Sequence, residues 1–134
     1  IVFAMWYAGP LLPLYYDRAG YFSSMAANGR SEVYSRRLDE FLTFDTELVA
    51  ISCDPVYSLR AFADAEGLNF PLLADYWPHG AVSTAYAVFD ETKGCPRRSS
   101  YAIDREGIVR WAVHNASADG RDLDEHLTQL GALV

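Results

Sequence analysis

The sequence contains little cysteine and little positive charge. Two cysteines in 134 residues do not make a disulfide-dense scaffold, and they fit a reducing compartment, so a cytoplasmic location is expected. The 11 lysines and arginines are outnumbered by 18 aspartates and glutamates, which gives a formal net charge of -7. Because repulsion opposes the approach of an acidic chain to a polyanion, neither nucleic acid nor an anionic membrane is expected as a partner.

The sequence also lacks an uninterrupted hydrophobic segment that could cross a bilayer as a helix. Its apolar start, residues 1–16, is broken by a Gly-Pro pair and by Pro13, and no basic segment precedes it. A strand is predicted at about residues 11–16, and Pro13 makes it an edge strand or a strained one. Since the sequence begins at Ile1, the start is interpreted as the cut end of a longer chain, with a processed secretory product as the alternative.

Hydrophobic residues make up 51% of the sequence, enough to form the core of one domain spanning residues 1–134. Helical spacing of apolar residues predicts a helix from about Met25 to Phe44, and the run 47–53 predicts a buried strand. A helix should follow Asp54-Pro55 and end at Gly67 in the C′ position.

Short elements and a hairpin are predicted for the second half of the chain. Residues 70–75 should be extended, and one or two helical turns should follow, with Pro78 at their opening. A turn is expected at Lys93-Gly94, and Asp104–Gly107 should connect two strands before an amphipathic terminal helix. The order β-α-β-α-β-β-α indicates a mixed α/β domain with helices on both faces of a central sheet.

A resemblance to a known family is carried by five segments: ISCDP, LRAFADAEGLNFPLLAD, WPHGAV, AYAVFDE and RSSYAIDREG. In this order and spacing, the chain resembles the peroxiredoxins. It is closest to the alkyl hydroperoxide reductase and thiol-specific antioxidant branch, which includes the bacterial one-cysteine enzymes. The resemblance runs from about Gly9 to the terminal helix. It implies a thioredoxin-like α/β fold, thiol peroxidase chemistry and a homodimer.

Members of this family carry a Pro-x-x-x-Thr-x-x-Cys stretch that leads into the helix after the first strand. The helix amides lower the pKa of the cysteine and hold the peroxide oxygens. An arginine from a neighbouring strand stabilises the thiolate and the charge that develops on the leaving oxygen. The resemblance implies that this arginine is Arg98, which the sequence retains.

The family's reactive cysteine is missing from this sequence. Counting forward from the strand predicted at 11–16 places its position at Ser24, and counting back from the helix places it at Ala27. An unassisted hydroxyl stays protonated near neutral pH, so neither residue can replace the thiol. Peroxidase chemistry at this place is predicted to be lost, and the alternative is that Ser24 is an engineered replacement for cysteine.

The two remaining thiols leave a redox role open. Cys53 lies at the C-terminal end of a predicted strand, at a sheet edge where α/β proteins bind ligands, or it is simply a small buried residue. Cys95 lies in a predicted hairpin beside Arg97 and Arg98, whose charges would lower its pKa, or it is an incidental loop residue. The sequence alone does not decide whether the two cysteines form a disulfide.

Arg98 also suggests a binding site. If the helix near Ser23 and Ser24 presents free amides toward Arg98, a small anion or a hydroperoxide would bind there. The alternative is that Arg98 pairs with a carboxylate such as Asp54. His79 is a candidate base, whereas the resemblance implies that it lies in a loop that shapes a wall or a subunit contact. The histidines and cysteines lack metal-ligand spacing and no phosphate-binding glycine loop is present, so no metal or cofactor is predicted.

Two classes of function follow. In the first, the protein is a peroxiredoxin-like domain without the peroxidatic cysteine and acts as a binding or assembly module. The aromatic residues between positions 3 and 22 would then supply its interface. In the second, the protein is a thiol-dependent oxidoreductase that reduces hydroperoxides through Cys53, Cys95 or a cysteine that Ser24 replaces.

Overall fold

A five-stranded mixed sheet forms the centre of the fold. The computed structural model describes residues 2–7, 36–114 and 122–133. The strands of the sheet are β1 (Val2–Tyr7), β2 (Thr46–Ser52), β3 (Leu72–Ala74), β6 (Ser99–Ile103) and β7 (Val109–His114). A separate hairpin consists of β4 (Phe89–Asp90) and β5 (Cys95–Pro96).

Four helices accompany these strands in the described ranges. They are α1 (Leu38–Leu42), α2 (Val56–Glu66), α3 (Ala81–Ala85) and α4 (Leu123–Leu133). None of them is long and apolar enough to cross a membrane.

The spatial order of the sheet is β3-β2-β1-β6-β7, so β1 is the central strand. It pairs antiparallel with β2 and parallel with β6. The apolar start of the sequence, not predicted as a strand, therefore forms the middle of the sheet. An unbroken apolar run is typical of a strand in a sheet that is covered on both faces. The strand predicted at 11–16 and the helix portion before residue 36 lie outside the described residues.

Several predicted elements are confirmed. Strand β2 lies within one residue of the predicted run 47–53. Helix α2 ends at Gly67, whose φ of 60° and ψ of 42° give the left-handed conformation expected at that position. Strands β6 and β7 pair antiparallel through the turn at Asp104–Gly107.

The predicted position of Pro78 at the opening of a helix is wrong. Helix α3 begins at Ala81, and Gly80 with a φ of 71° precedes it. A Cβ atom at residue 80 would lie 2.3 Å from the ring of Phe89, so the close approach of the β4–β5 hairpin requires glycine there. The start of α3 is therefore determined by Gly80 and by the side chain of Asp75, which accepts hydrogen bonds from the first turn of the helix. Pro78 lies in the preceding turn.

Among the residues whose side chains the structure describes, the core has two parts, one on each face of the sheet. Because side chains alternate along a strand, Leu48 and Ala50 of β2 face one cluster, whereas Val49 and Ile51 face the other. The first cluster contains buried residues of α1, α2 and α4: Phe41, Leu59, Phe62, Leu123 and Leu130. Val82 of α3 packs against the second cluster. Helices therefore cover both faces of the sheet, as predicted.

Candidate functional site

The carboxyl ends of the parallel strands β2 and β3 bring several polar residues together. The backbone N–H of Asp75, directly after β3, donates a hydrogen bond to the carbonyl of Ser52 at a distance of 2.6 Å. Cys53 follows β2 at the same edge. In α/β sheets this edge is the usual place for ligands, so the chemistry of these residues decides whether a reactive site exists here.

Asp75 is buried, and its carboxylate caps helix α3. Its Oδ1 accepts a hydrogen bond from the backbone N–H of Val82 at 2.9 Å. Its Oδ2 accepts hydrogen bonds from the backbone N–H and the hydroxyl of Ser83, each at 2.8 Å. Since this carboxylate satisfies donors at the helix start, its local role is structural.

The thiol of Cys53 is held in its protonated form. Cys53 is only 8% exposed, and its Sγ lies 4.0 Å from Oδ2 of Asp75. Burial raises the pKa of this thiol to about 11, and the negative charge of Asp75 acts in the same direction. This environment favours the interpretation of Cys53 as a small buried residue over that of a nucleophile.

Cys95 has different surroundings. It is exposed at the start of β5, where it pairs with Asp90 of β4. Nη2 of Arg97 donates a hydrogen bond to the carbonyl of Ala87 at 2.9 Å, so this guanidinium supports the segment after α3. Arg98 is half-buried directly before β6. Of the two thiols, Cys95 is the one that an oxidant in solution reaches.

Ser24 and Ala27, which were predicted to replace the reactive cysteine, lie outside the described residues, as does Ser23, which was predicted to help bind an anion. The anion pocket between them and Arg98 therefore stays a prediction. The forward count to Ser24 started from residues 11–16, whereas the central strand is β1. The conclusion on the thiol does not depend on this count, because the sequence has no cysteine anywhere between residues 8 and 35.

Three exposed aromatic side chains lie around the same sheet edge, and sequence reasoning missed them. Tyr57 is 82% exposed in the first turn of α2, whereas Tyr76 and Trp77, directly after Asp75, are 52% and 84% exposed. We call these three residues the aromatic surface. The sequence did contain a signal for these residues. All three closely follow the ends of two predicted strands, and they therefore belong to the sheet edge at which those strands end.

The two chain segments that carry the aromatic surface contain no carboxylate. No aspartate or glutamate occurs in residues 56–63 or 76–89, although the whole chain carries 18 of them. These ranges instead contain Arg60 and His79, both exposed. His79 contacts the neighbouring hairpin, because its Nε2 lies 2.7 Å from the carbonyl of Gly94.

Comparisons with known proteins agree on one family. The sequence model described as the AhpC/TSA family matches residues 27–112. The chain is 44% identical over 97 residues to alkyl hydroperoxide reductase E of Mycobacterium tuberculosis, covering 72% of this chain and 63% of that protein. It is 31% identical over 107 residues to the chloroplastic 2-Cys peroxiredoxin BAS1 of Hordeum vulgare, covering 75% of this chain and 50% of that protein. The chain thus spans less than two thirds of the length of these relatives.

Solved structures show the same fold. The crystal structure of Enterococcus faecalis AhpC matches with a TM-score of 0.69 at 25% identity, covering 98% of this chain and 74% of that one. Reduced 2-Cys peroxiredoxin of Plasmodium vivax matches with a TM-score of 0.74 at 24% identity, covering 98% of this chain and 64% of that one. The thioredoxin-like α/β fold predicted from the sequence is confirmed.

Proposed function

This chain belongs to the AhpC/TSA family, and on that premise we propose that it is a peroxiredoxin-like binding and assembly module without peroxidase activity. The observation that carries the proposal is the distribution of thiols. No cysteine occurs between residues 8 and 35, and Cys53 is buried beside a carboxylate that opposes its ionisation. Two free cysteines fit a reducing, cytoplasmic compartment.

Peroxide reduction needs a thiolate, because the thiolate is the nucleophile. A thiol whose pKa is about 11, as for Cys53, is ionised in only about one molecule in ten thousand at pH 7. The Asp75 carboxylate lies within reach of this thiol, but it also accepts hydrogen bonds from Val82 and Ser83 at the start of α3. The sheet edge around Cys53 therefore supports a structural function.

The aromatic surface is the proposed interface, and a second copy of this chain is the proposed partner. Tyrosine, tryptophan and arginine are enriched in the cores of protein interfaces, whereas aspartate and glutamate are depleted there. Tyr57, Tyr76 and Trp77 with the nearby Arg60 have this composition. In a chain of net charge -7, two copies that meet through this surface avoid opposing carboxylates.

Sedimentation velocity over a range of protein concentrations tests this interface. The wild-type chain should form a dimer, and Trp77→Ala combined with Tyr57→Ala should weaken its association at least tenfold, because these residues supply aromatic anchors. Ile108→Ala is the matched control, since Ile108 is an apolar residue that is 50% exposed away from the aromatic surface. A wild-type monomer at every concentration, or a dimer weakened only by Ile108→Ala, would contradict the proposed interface.

A second candidate function is a thiol-dependent peroxidase that uses Cys95. Its exposure favours it, because a peroxide in solution can reach this thiol. In this reaction the sulfur attacks one peroxide oxygen and the O–O bond breaks. The products are a sulfenic acid on Cys95 and an alkoxide, which takes a proton from water. Oxidation at Cys95 distinguishes this candidate from the assembly module.

A further inference from the structure

We draw no further inference here: the strongest candidate, the outer edge of strand β7 with the exposed side chains of Ile108 and Val109, carries nothing because nothing in the described part of the chain shows what covers it.

Discussion

Cys53 and Asp75 are in contact at the carboxyl ends of two parallel strands, with 4.0 Å between Sγ and Oδ2. Both side chains are buried, and the carboxylate also caps helix α3. Through Asp75, the thiol of Cys53 is therefore connected to the start of α3. The pKa of this thiol is raised, and the start of α3 lies near the aromatic surface. At the edge where many α/β proteins bind ligands, this carboxylate therefore serves the start of α3.

The first prediction concerns the ionisation of Cys53. In a Cys95→Ser variant, the absorbance near 240 nm, taken as the difference from Cys53→Ala/Cys95→Ser so that the nine tyrosines cancel, should titrate with a midpoint close to 11. Adding Asp75→Asn should lower this pKa, because one negative charge is removed. The midpoint should stay above the ordinary value of about 8.5, since burial is the larger cause of the shift. A midpoint at or below 8 in Cys95→Ser would show that the thiol is not protected as described.

The same shift predicts how stability depends on pH. The folded-state pKa of Cys53 is raised, so its contribution to stability is fully present below the unfolded value of about 8.5. It is lost as the pH rises through about 11. Urea unfolding of Cys95→Ser and of Cys53→Ala/Cys95→Ser at pH 7, 9.5 and 11 isolates this group from the tyrosines and lysines. As the pH rises, Cys95→Ser should lose free energy of unfolding relative to Cys53→Ala/Cys95→Ser. A difference between the two variants that stays constant across the three pH values would contradict the raised pKa of Cys53.

Asp75 should contribute more to the free energy of unfolding than Asp64 does. Asp75→Ala removes the acceptor of three hydrogen bonds and leaves buried donors at the start of α3, so we expect a loss of about 3 kcal/mol in the free energy of unfolding. Asp64 is exposed on α2, and Asp64→Ala should change stability by less than about 0.5 kcal/mol. Equal effects of the two substitutions in urea unfolding would show that the cap contributes little.

Ala87 has a left-handed backbone conformation, with a φ of 57°. This conformation is unfavourable for a residue with a Cβ atom, so Ala87→Gly should increase stability by about 0.5–1 kcal/mol. Ala61 is exposed within α2 and provides the control, because Ala61→Gly should decrease stability by about 1 kcal/mol. The two substitutions should shift the melting temperature in opposite directions, and a decrease for both would contradict the assigned conformation at residue 87.

Much of the fold follows from local sequence patterns. Strand β2 and the β6–β7 hairpin were predictable because their apolar and turn residues follow strand rules. The end of α2 was predictable because Gly67 is suited to a left-handed cap. The central strand β1 was missed because its apolar run resembles any hydrophobic segment. Only its pairing with β2 and β6 identifies it.

The candidate site was less predictable than the fold. Sequence reasoning identified Cys53 and Cys95 as the only thiols, but burial and the contact with Asp75 depend on tertiary structure. Tyrosine and tryptophan occur both in cores and on surfaces, so the exposure of Tyr57 and Trp77 could not be deduced from composition. The helix start at Ala81 was missed because it requires glycine at position 80. That requirement comes from the packing of Phe89 in the following hairpin, which local sequence patterns do not show.

The central claim is that this chain has the peroxiredoxin fold without peroxidase chemistry, and its reaction with peroxide tests the claim most directly. Stopped-flow tryptophan fluorescence would follow pre-reduced protein mixed with millimolar hydrogen peroxide, and mass spectrometry would then report the oxidation state of Cys53 and Cys95. We expect no fast fluorescence phase and two intact thiols. A fast phase that leaves a sulfenic acid or a disulfide on Cys95, and that disappears in Cys95→Ser, would contradict this account and support the peroxidase.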